Sequence, residues 1–119
     1  MIFKESKSIF LQVAERICEE IVGGVYQEEG RIPSVREYST LVEVNVNTAM
    51  RSYDYLQQQG IIYNKRGIGY FVSPDAKTTI IRIRRAQFIE QELPEVFRQM
   101  RMLGITMEEL KTLYEKSGQ

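Results

Sequence analysis

Gly60-Ile61-Ile62-Tyr63-Asn64-Lys65-Arg66-Gly67-Ile68-Gly69-Tyr70-Phe71-Val72 is the stretch that decides the fold. Residues 61–65 and 70–73 are short β-branched and aromatic runs. The glycine-bearing segment 66–69 lies between them, and this pattern predicts a hairpin. What precedes the hairpin gives it its meaning. Ala49, Tyr53 and Leu56 recur at helical spacing in residues 46–59, and Gly60 stops that helix. Further back, Pro33-Ser34-Val35-Arg36-Glu37 carries the S-x-x-E spacing of a capping box. Tyr38, Leu41 and Val42 supply the buried side of a short helix that stops near Glu43, and Asn45 can cap the next one. Two short helices with a tight turn form a helix-turn-helix, and a hairpin directly after it makes the winged variant.

Outward from this centre, Phe10, Val13, Ala14, Ile17 and Ile21 share one face of a first helix over residues 8–22, which Gly23-Gly24 ends. An irregular stretch runs through Glu29-Gly30. Pro74-Asp75 closes the module, so residues 1–75 are read as the winged helix-turn-helix and 76–119 as a helical tail. Ile81, Phe88, Ile89, Leu93, Val96, Phe97, Met100 and Leu103 form a broad apolar stripe in that tail. Gly104 interrupts it. Thr106 and Glu109 predict a second capping box, followed by a helix over residues 107–116 that carries Leu110, Leu113 and Tyr114. Pro94 predicts either a kink or a restart with the proline in a first turn. The fold class is therefore mostly α with a small β-hairpin.

The bulk numbers narrow the function classes. The 119 residues make one small domain with an appendage. No run approaches the roughly 18 apolar residues of a membrane span. The N-terminus lacks a basic region followed by an apolar run, so a cytoplasmic location is expected. Cys18 is the one cysteine, on an apolar helical face, and reads as a small buried hydrophobe. The chain has no histidine, which removes the usual general base and the commonest metal ligand. With no metal-ligand spacing, no phosphate-cradling loop and no nucleophile elbow, no enzyme, metal or cofactor is expected. Net charge is formally zero. Residues 1–75 carry 8 basic and 10 acidic side chains, and 76–119 carry 8 and 6. Any contact with a polyanion must therefore be local, through a few cations and helix N-termini.

Residues 9–72 resemble the DNA-binding domain of the GntR family of bacterial regulators. The resemblance rests on Leu11-Gln12-Val13-Ala14-Glu15, Ile32-Pro33-Ser34-Val35-Arg36-Glu37, Val44-Asn45-Val46-Asn47-Thr48-Ala49, Arg51, Leu56, Gly60-Ile61-Ile62 and Arg66-Gly67-Ile68-Gly69-Tyr70-Phe71-Val72. The P-S-x-R-E element combined with the R-G-x-G-x-F-V wing is specific. The tail of about 44 residues, with Leu103-Gly104-Ile105-Thr106-Met107-Glu108-Glu109-Leu110, looks like the short YtrA subfamily, which has no large effector domain. The chain departs from the family's usual pattern at Tyr38-Ser39, Glu43, Val46 and Ala49, and Val46 lies near the expected DNA surface.

The resemblance implies a sequence-specific, DNA-binding transcriptional regulator, in the sense of a repressor, that binds a pseudopalindromic operator as a homodimer. By resemblance Arg36 contacts DNA. Arg51, the one cation on the third helix, can pair bidentately with guanine in the major groove or clamp the backbone. Asn45 is read equally as a cap or a DNA contact. Asn47 can reach adenine or a phosphate, and Thr48 suits a phosphate oxygen. Ser34 is a cap first and a phosphate contact second. Lys65, Arg66, Gly67 and Gly69 form a basic wing that can approach the backbone or the minor groove. Arg82, Arg84 and Arg85 read first as a solvated helix face.

The tail's stripe is too broad for a two-helix hairpin to bury alone. Ile81, Phe88, Ile89, Leu93, Val96, Phe97, Met100, Leu103, Leu110, Leu113 and Tyr114 are therefore the expected dimerisation set, packing against the same set of a second chain. Any small-molecule effector is expected between subunits or between tail and winged domain. Two rivals stand beside this reading: a winged helix used as a protein-interaction module, and a non-specific architectural DNA binder.

Overall fold

A computed structural model describes residues 7–118. Its elements are α1 (Ile9–Val22), α2 (Val35–Val42), α3 (Val46–Gln58), β1 (Ile62–Lys65), β2 (Gly69–Val72), α4 (Ala76–Gln87), a π-helical segment (Phe88–Glu92), α5 (Leu93–Leu103) and α6 (Met107–Ser117). The chain divides into two compact units, Met1–Ile81 and Arg82–Gln119, and the division falls inside α4. It comes six residues beyond the Asp75 boundary read from sequence, and Ala76 and Ile80 in the intervening turn and a half are both buried.

In the first unit α3 packs on both α1 and α2 and touches β1. Its inner face (Ala49, Ser52, Tyr53 and Leu56) is buried, as are Val13, Ala14, Ile17 and Ile21 of α1. The buried hydroxyl of Ser52 donates to the Phe10 carbonyl of α1 at 2.7 Å and to Thr48 at 3.0 Å, so no polar atom is stranded at that seam. Leu41, expected on the inner face of α2, is exposed instead. Val35, Tyr38 and Val42 already fill the inner stripe of this two-turn helix, and Ser39 takes the fourth inward position.

The helix ends follow the capping rules. Ser34 Oγ accepts the Glu37 N–H at 3.1 Å, and Glu37 Oε1 accepts the Ser34 N–H at 2.9 Å. That reciprocal box starts α2 and holds the Glu37 carboxyl below the usual carboxylate range, chiefly through the Ser34 backbone bond. Asn45 Oδ1 accepts the Asn47 N–H at 2.7 Å and starts α3. At α6 only half of the expected box forms: Thr106 Oγ1 accepts the Glu109 N–H at 3.1 Å, without the return bond.

β1 and β2 pair antiparallel with Ile62 opposite Val72 and Lys65 opposite Gly69, one residue off the predicted ends. The Ile61 N–H is taken by Leu56 O at 2.9 Å, so Ile61 meets the second strand only through its carbonyl, which accepts the Ser73 N–H at 2.9 Å. The stretch read as irregular is in fact paired to the hairpin. Glu29 donates to Val72 O at 2.8 Å, Val72 to Gly30 O at 2.9 Å, and Ile32 to Tyr70 O at 3.0 Å, with Arg31 bridged to Phe71.

In the second unit the tail is helical apart from the turn at Gly104. Pro94 sits in the first turn of α5, the second of the two outcomes read from sequence, and the five-residue π-helical segment runs directly into it. Gly104 takes φ +73, and the Ile105 N–H reaches back to Met100 O at 2.9 Å, which ends α5. Among the described residues no helix is long and apolar enough to cross a membrane.

The turn between α2 and α3 hinges on Glu43, at φ 58 and ψ 51, a left-handed conformation that a side chain disfavours by about 1 kcal/mol. Its N–H bonds to Ser39 O and Thr40 O, so the backbone is held there by the helix end. Glu43→Gly is expected to keep the turn and raise stability by up to about 1 kcal/mol, read as a higher urea midpoint at unchanged slope. A lower midpoint would show that the Glu43 side chain itself stabilises the turn.

Candidate nucleic-acid interface

The side chains of α3 divide cleanly. Those at 49, 52, 53 and 56 turn inward, while Val46, Asn47, Met50, Arg51 and Asp54 are exposed. An exposed helix face of this width, standing second in a helix-turn-helix, is the surface that can enter a DNA major groove. Asn47 and Arg51 were singled out from sequence. Met50 and Asp54 were not, although the steps 47, 50, 51 and 54 follow the helical period and mark the same face.

Arg51 is the best-defined member of this face. Its guanidinium carbon stands 4.0 Å from the centroid of the Phe10 ring. Phe10 in turn meets Tyr55 edge-on at 6.3 Å. Asn45 and Ser34 are both committed as caps through their side-chain oxygens, which settles the capping half of their sequence reading. The Ser34 hydroxyl proton and the Asn45 amide N–H groups remain as donors. Thr48 is half-buried, and its carbonyl accepts from Ser52. Arg36, in the first turn of α2, is exposed and forms no ion pair among the described residues.

The wing strands set a cation against aromatic rings. Tyr63 and Phe71 face each other across the strands and stack at 5.8 Å. Lys65 Nζ lies 4.5 Å from the Phe71 centroid and 6.0 Å from that of Tyr63. The Ile68 N–H closes the turn onto Lys65 O at 2.9 Å, with Gly67 at φ +79, the sign a type II turn demands at its third position. Arg66 is exposed at the tip. Gly69, at φ +146, leaves room for Arg31: a Cβ there would lie 2.9 Å from the Arg31 Nε. Arg31 therefore joins the wing cations, and it also helps hold the Glu37 carboxyl down. Sequence reading passed over it because residues 23–31 showed no period. Among the described residues no group of His, Cys, Asp and Glu could hold a metal ion.

The tail residues proposed for dimerisation are largely uncovered. Ile81, Phe88, Ile89, Val96, Leu103, Leu113 and Tyr114 are all exposed, Leu103 by 67% and Tyr114 by 76%. Leu93, Phe97 and Leu110 are half-buried, and Met100 is already buried within the chain. Met102 and Met107, which the sequence reading did not single out, are exposed by 67% and 65%. Arg82, Arg84 and Arg85 are exposed on α4.

Comparison with known proteins bears on what such a surface serves. Residues 10–72 match the family described as bacterial regulatory proteins, gntR family. The chain is 30% identical to the HTH-type transcriptional repressor YtrA of Bacillus subtilis strain 168 over 107 residues, covering 90% of this chain and 82% of that one. It is 33% identical to the HTH-type transcriptional regulator YhcF of the same organism, covering 91% and 88%. A crystal structure of a Bacteroides thetaiotaomicron protein, assigned as a transcriptional regulator of the GntR family, superposes with a TM-score of 0.82 at 52% identity. That match covers 92% of this chain and 95% of the other.

The two wing glycines are expected to respond differently to alanine. At Gly67 nothing lies within 4 Å, so only the backbone penalty applies. At Gly69 the φ of +146 is essentially reserved to glycine, and the new Cβ would also displace Arg31. Gly69→Ala should cost roughly 1–3 kcal/mol and exceed Gly67→Ala. Thermal unfolding of the two variants in parallel checks the order, and equal losses would refute the Arg31 contact.

Proposed function

The chain belongs to the gntR family of bacterial regulatory proteins, and we propose on that ground that it represses transcription as a homodimer bound to a pseudopalindromic operator. It is a sequence-specific DNA-binding regulator with a winged helix-turn-helix. The single observation that carries the finer reading is the exposed face of α3. Asn47 and Arg51 lie there together, and the Arg51 fork is spent on no protein acceptor among the described residues. In this reading α3 enters the major groove with Arg51 on a guanine edge and Asn47 on an adenine or a phosphate. Arg36 and the Ser34 hydroxyl meet the backbone, as do Asn45 and Thr48 at the α3 N-terminus. Lys65, Arg66 and the close-approaching Gly67 and Gly69 run along the flanking backbone, and Arg31 adds a fifth wing contact. The sense of regulation follows the relative named a repressor, and the place of action is the cytoplasm, where the bacterial chromosome lies.

Dimerisation is the role we assign to the tail. Large apolar side chains exposed on α5 and α6 are costly to leave in water and mark an interaction surface. A second copy buries the same set isologously, and it places a second α3 against the other half-site.

Selection of binding sites from random duplex DNA at near-physiological salt is expected to return a two-fold symmetric motif. Arg51→Ala should relax one position of each half-site, at a cost of roughly 1–3 kcal/mol against the preferred base. No enriched motif would overturn the operator reading. Leu103→Glu changes a side chain that is exposed in the single chain, so it should fold normally and sediment as a monomer at micromolar concentration. A variant that sediments like the wild type would remove α5 from the interface.

A further inference from the structure

Phe10 belongs to α1 and is not among the residues assigned to DNA above, yet three residues of α3 converge on it. The Ser52 hydroxyl holds its carbonyl at 2.7 Å, Tyr55 meets its ring edge-on at 6.3 Å, and the Arg51 guanidinium carbon lies over its face at 4.0 Å. Ser52 is buried, Tyr55 half-buried and Arg51 exposed, so these three residues run from the inner to the outer face of α3 along the side that Phe10 meets. Asp54 stands three residues beyond Arg51, where an ion pair on the helix surface can form. No such pair is present among the described residues. The guanidinium rests on the ring instead.

The difference matters chemically. A carboxylate partner would occupy the in-plane N–H donors of the fork. An aromatic face attracts the cation through its π surface and occupies none of them. We infer that Phe10 is a positioning residue for DNA readout: its ring fixes the Arg51 guanidinium while leaving the whole fork to pair with DNA. This rests on the proposed reading of α3 as the groove-entering helix. A side chain already held in place loses less rotamer freedom on binding, so the ring raises specific affinity without touching DNA.

The test is a double-mutant cycle on the full chain, with the selected duplex and a scrambled duplex as probes. Phe10→Leu keeps an apolar side chain and removes the ring. It should weaken the selected duplex roughly two- to tenfold and leave the scrambled one unchanged. Phe10→Tyr should retain wild-type binding. In an Arg51→Ala background, Phe10→Leu should have no further effect. Equal losses in both backgrounds, or unchanged binding by Phe10→Leu, would overturn the inference while leaving the operator reading intact. A wild-type chain that enriches no motif overturns that reading and the inference with it. Independently of DNA, proton NMR of the wild type should show Arg51 side-chain resonances moved upfield by the ring. Ordinary shifts there would refute the contact even if Phe10→Leu fails to fold.

Discussion

Tyr53 ties the elements of the DNA-facing half to one another. Its side chain is 0% exposed, yet it carries a hydroxyl that must find a partner, and it donates to the Pro33 carbonyl at 2.6 Å. Its ring meets Tyr70 of the wing edge-on at 4.9 Å and Tyr38 of α2 at 6.3 Å. One residue of α3 thus fixes the loop that starts α2, the body of α2 and the second wing strand. The exposed face of α3 is positioned because the opposite face is held this tightly. Burial pushes the Tyr53 phenol well above its ordinary range, and it does the same to Tyr38, whose hydroxyl also donates to Glu20 at 2.6 Å. Burial thus disfavours ionisation of the two phenols, in keeping with their role as donors.

A chain of zero net charge has no global field to draw it to DNA, so its few cations must be placed well. The structure places several of them on other groups' surfaces rather than in ion pairs. Arg51 lies on Phe10, Lys65 over the Phe71 and Tyr63 stack, and Arg31 in the space that Gly69 leaves open. Aromatic faces hold a cation without neutralising it. An ion pair would hold it at the cost of the charge that a phosphate needs to meet. This arrangement suits a regulator that must discriminate between sites, because weak non-specific attraction leaves more of the binding to base contacts.

Much of this was legible in the sequence because the signals are local. Ser34 with Glu37, Asn45, Gly60 and Gly104 act within a turn of their own position, and each does what its spacing predicts. The family resemblance over residues 9–72 coincides with the matched region. What escaped was set by distant partners. The pairing of residues 29–32 with β2 depends on segments some 40 positions apart and leaves no period. Arg31 becomes a wing residue only through that pairing. The Phe10 ring looked like an ordinary core position because its neighbours in sequence say nothing of Arg51. Leu41 was misplaced for a related reason: a two-turn helix buries one narrow stripe, and Tyr38 and Val42 already occupy it. Thr106 and Glu109 repeat the S/T-x-x-E spacing without the return bond, so the motif identifies the cap but not the full box.

The tail poses the opposite problem from the winged domain. There, a buried apolar core forms within the chain; in α5 and α6 only Met100 is buried, and Val96, Leu103, Leu113 and Tyr114 are exposed. Two short helices around one glycine turn cannot enclose a stripe that runs along both of them, so the sequence pattern commits more apolar surface than one copy of this unit can bury. The proposed dimer answers this and the shortage of charge together. Each winged domain offers a handful of cations and one exposed helix face, which limits what a single copy can gain from a half-site. Coupling two copies adds a second set of base contacts to one binding event, so discrimination between sites is raised without raising attraction to DNA in general. The apolar excess of the tail and the electrostatic economy of the wing are in this view one design: affinity comes from joining two weakly charged readers rather than from charging one strongly.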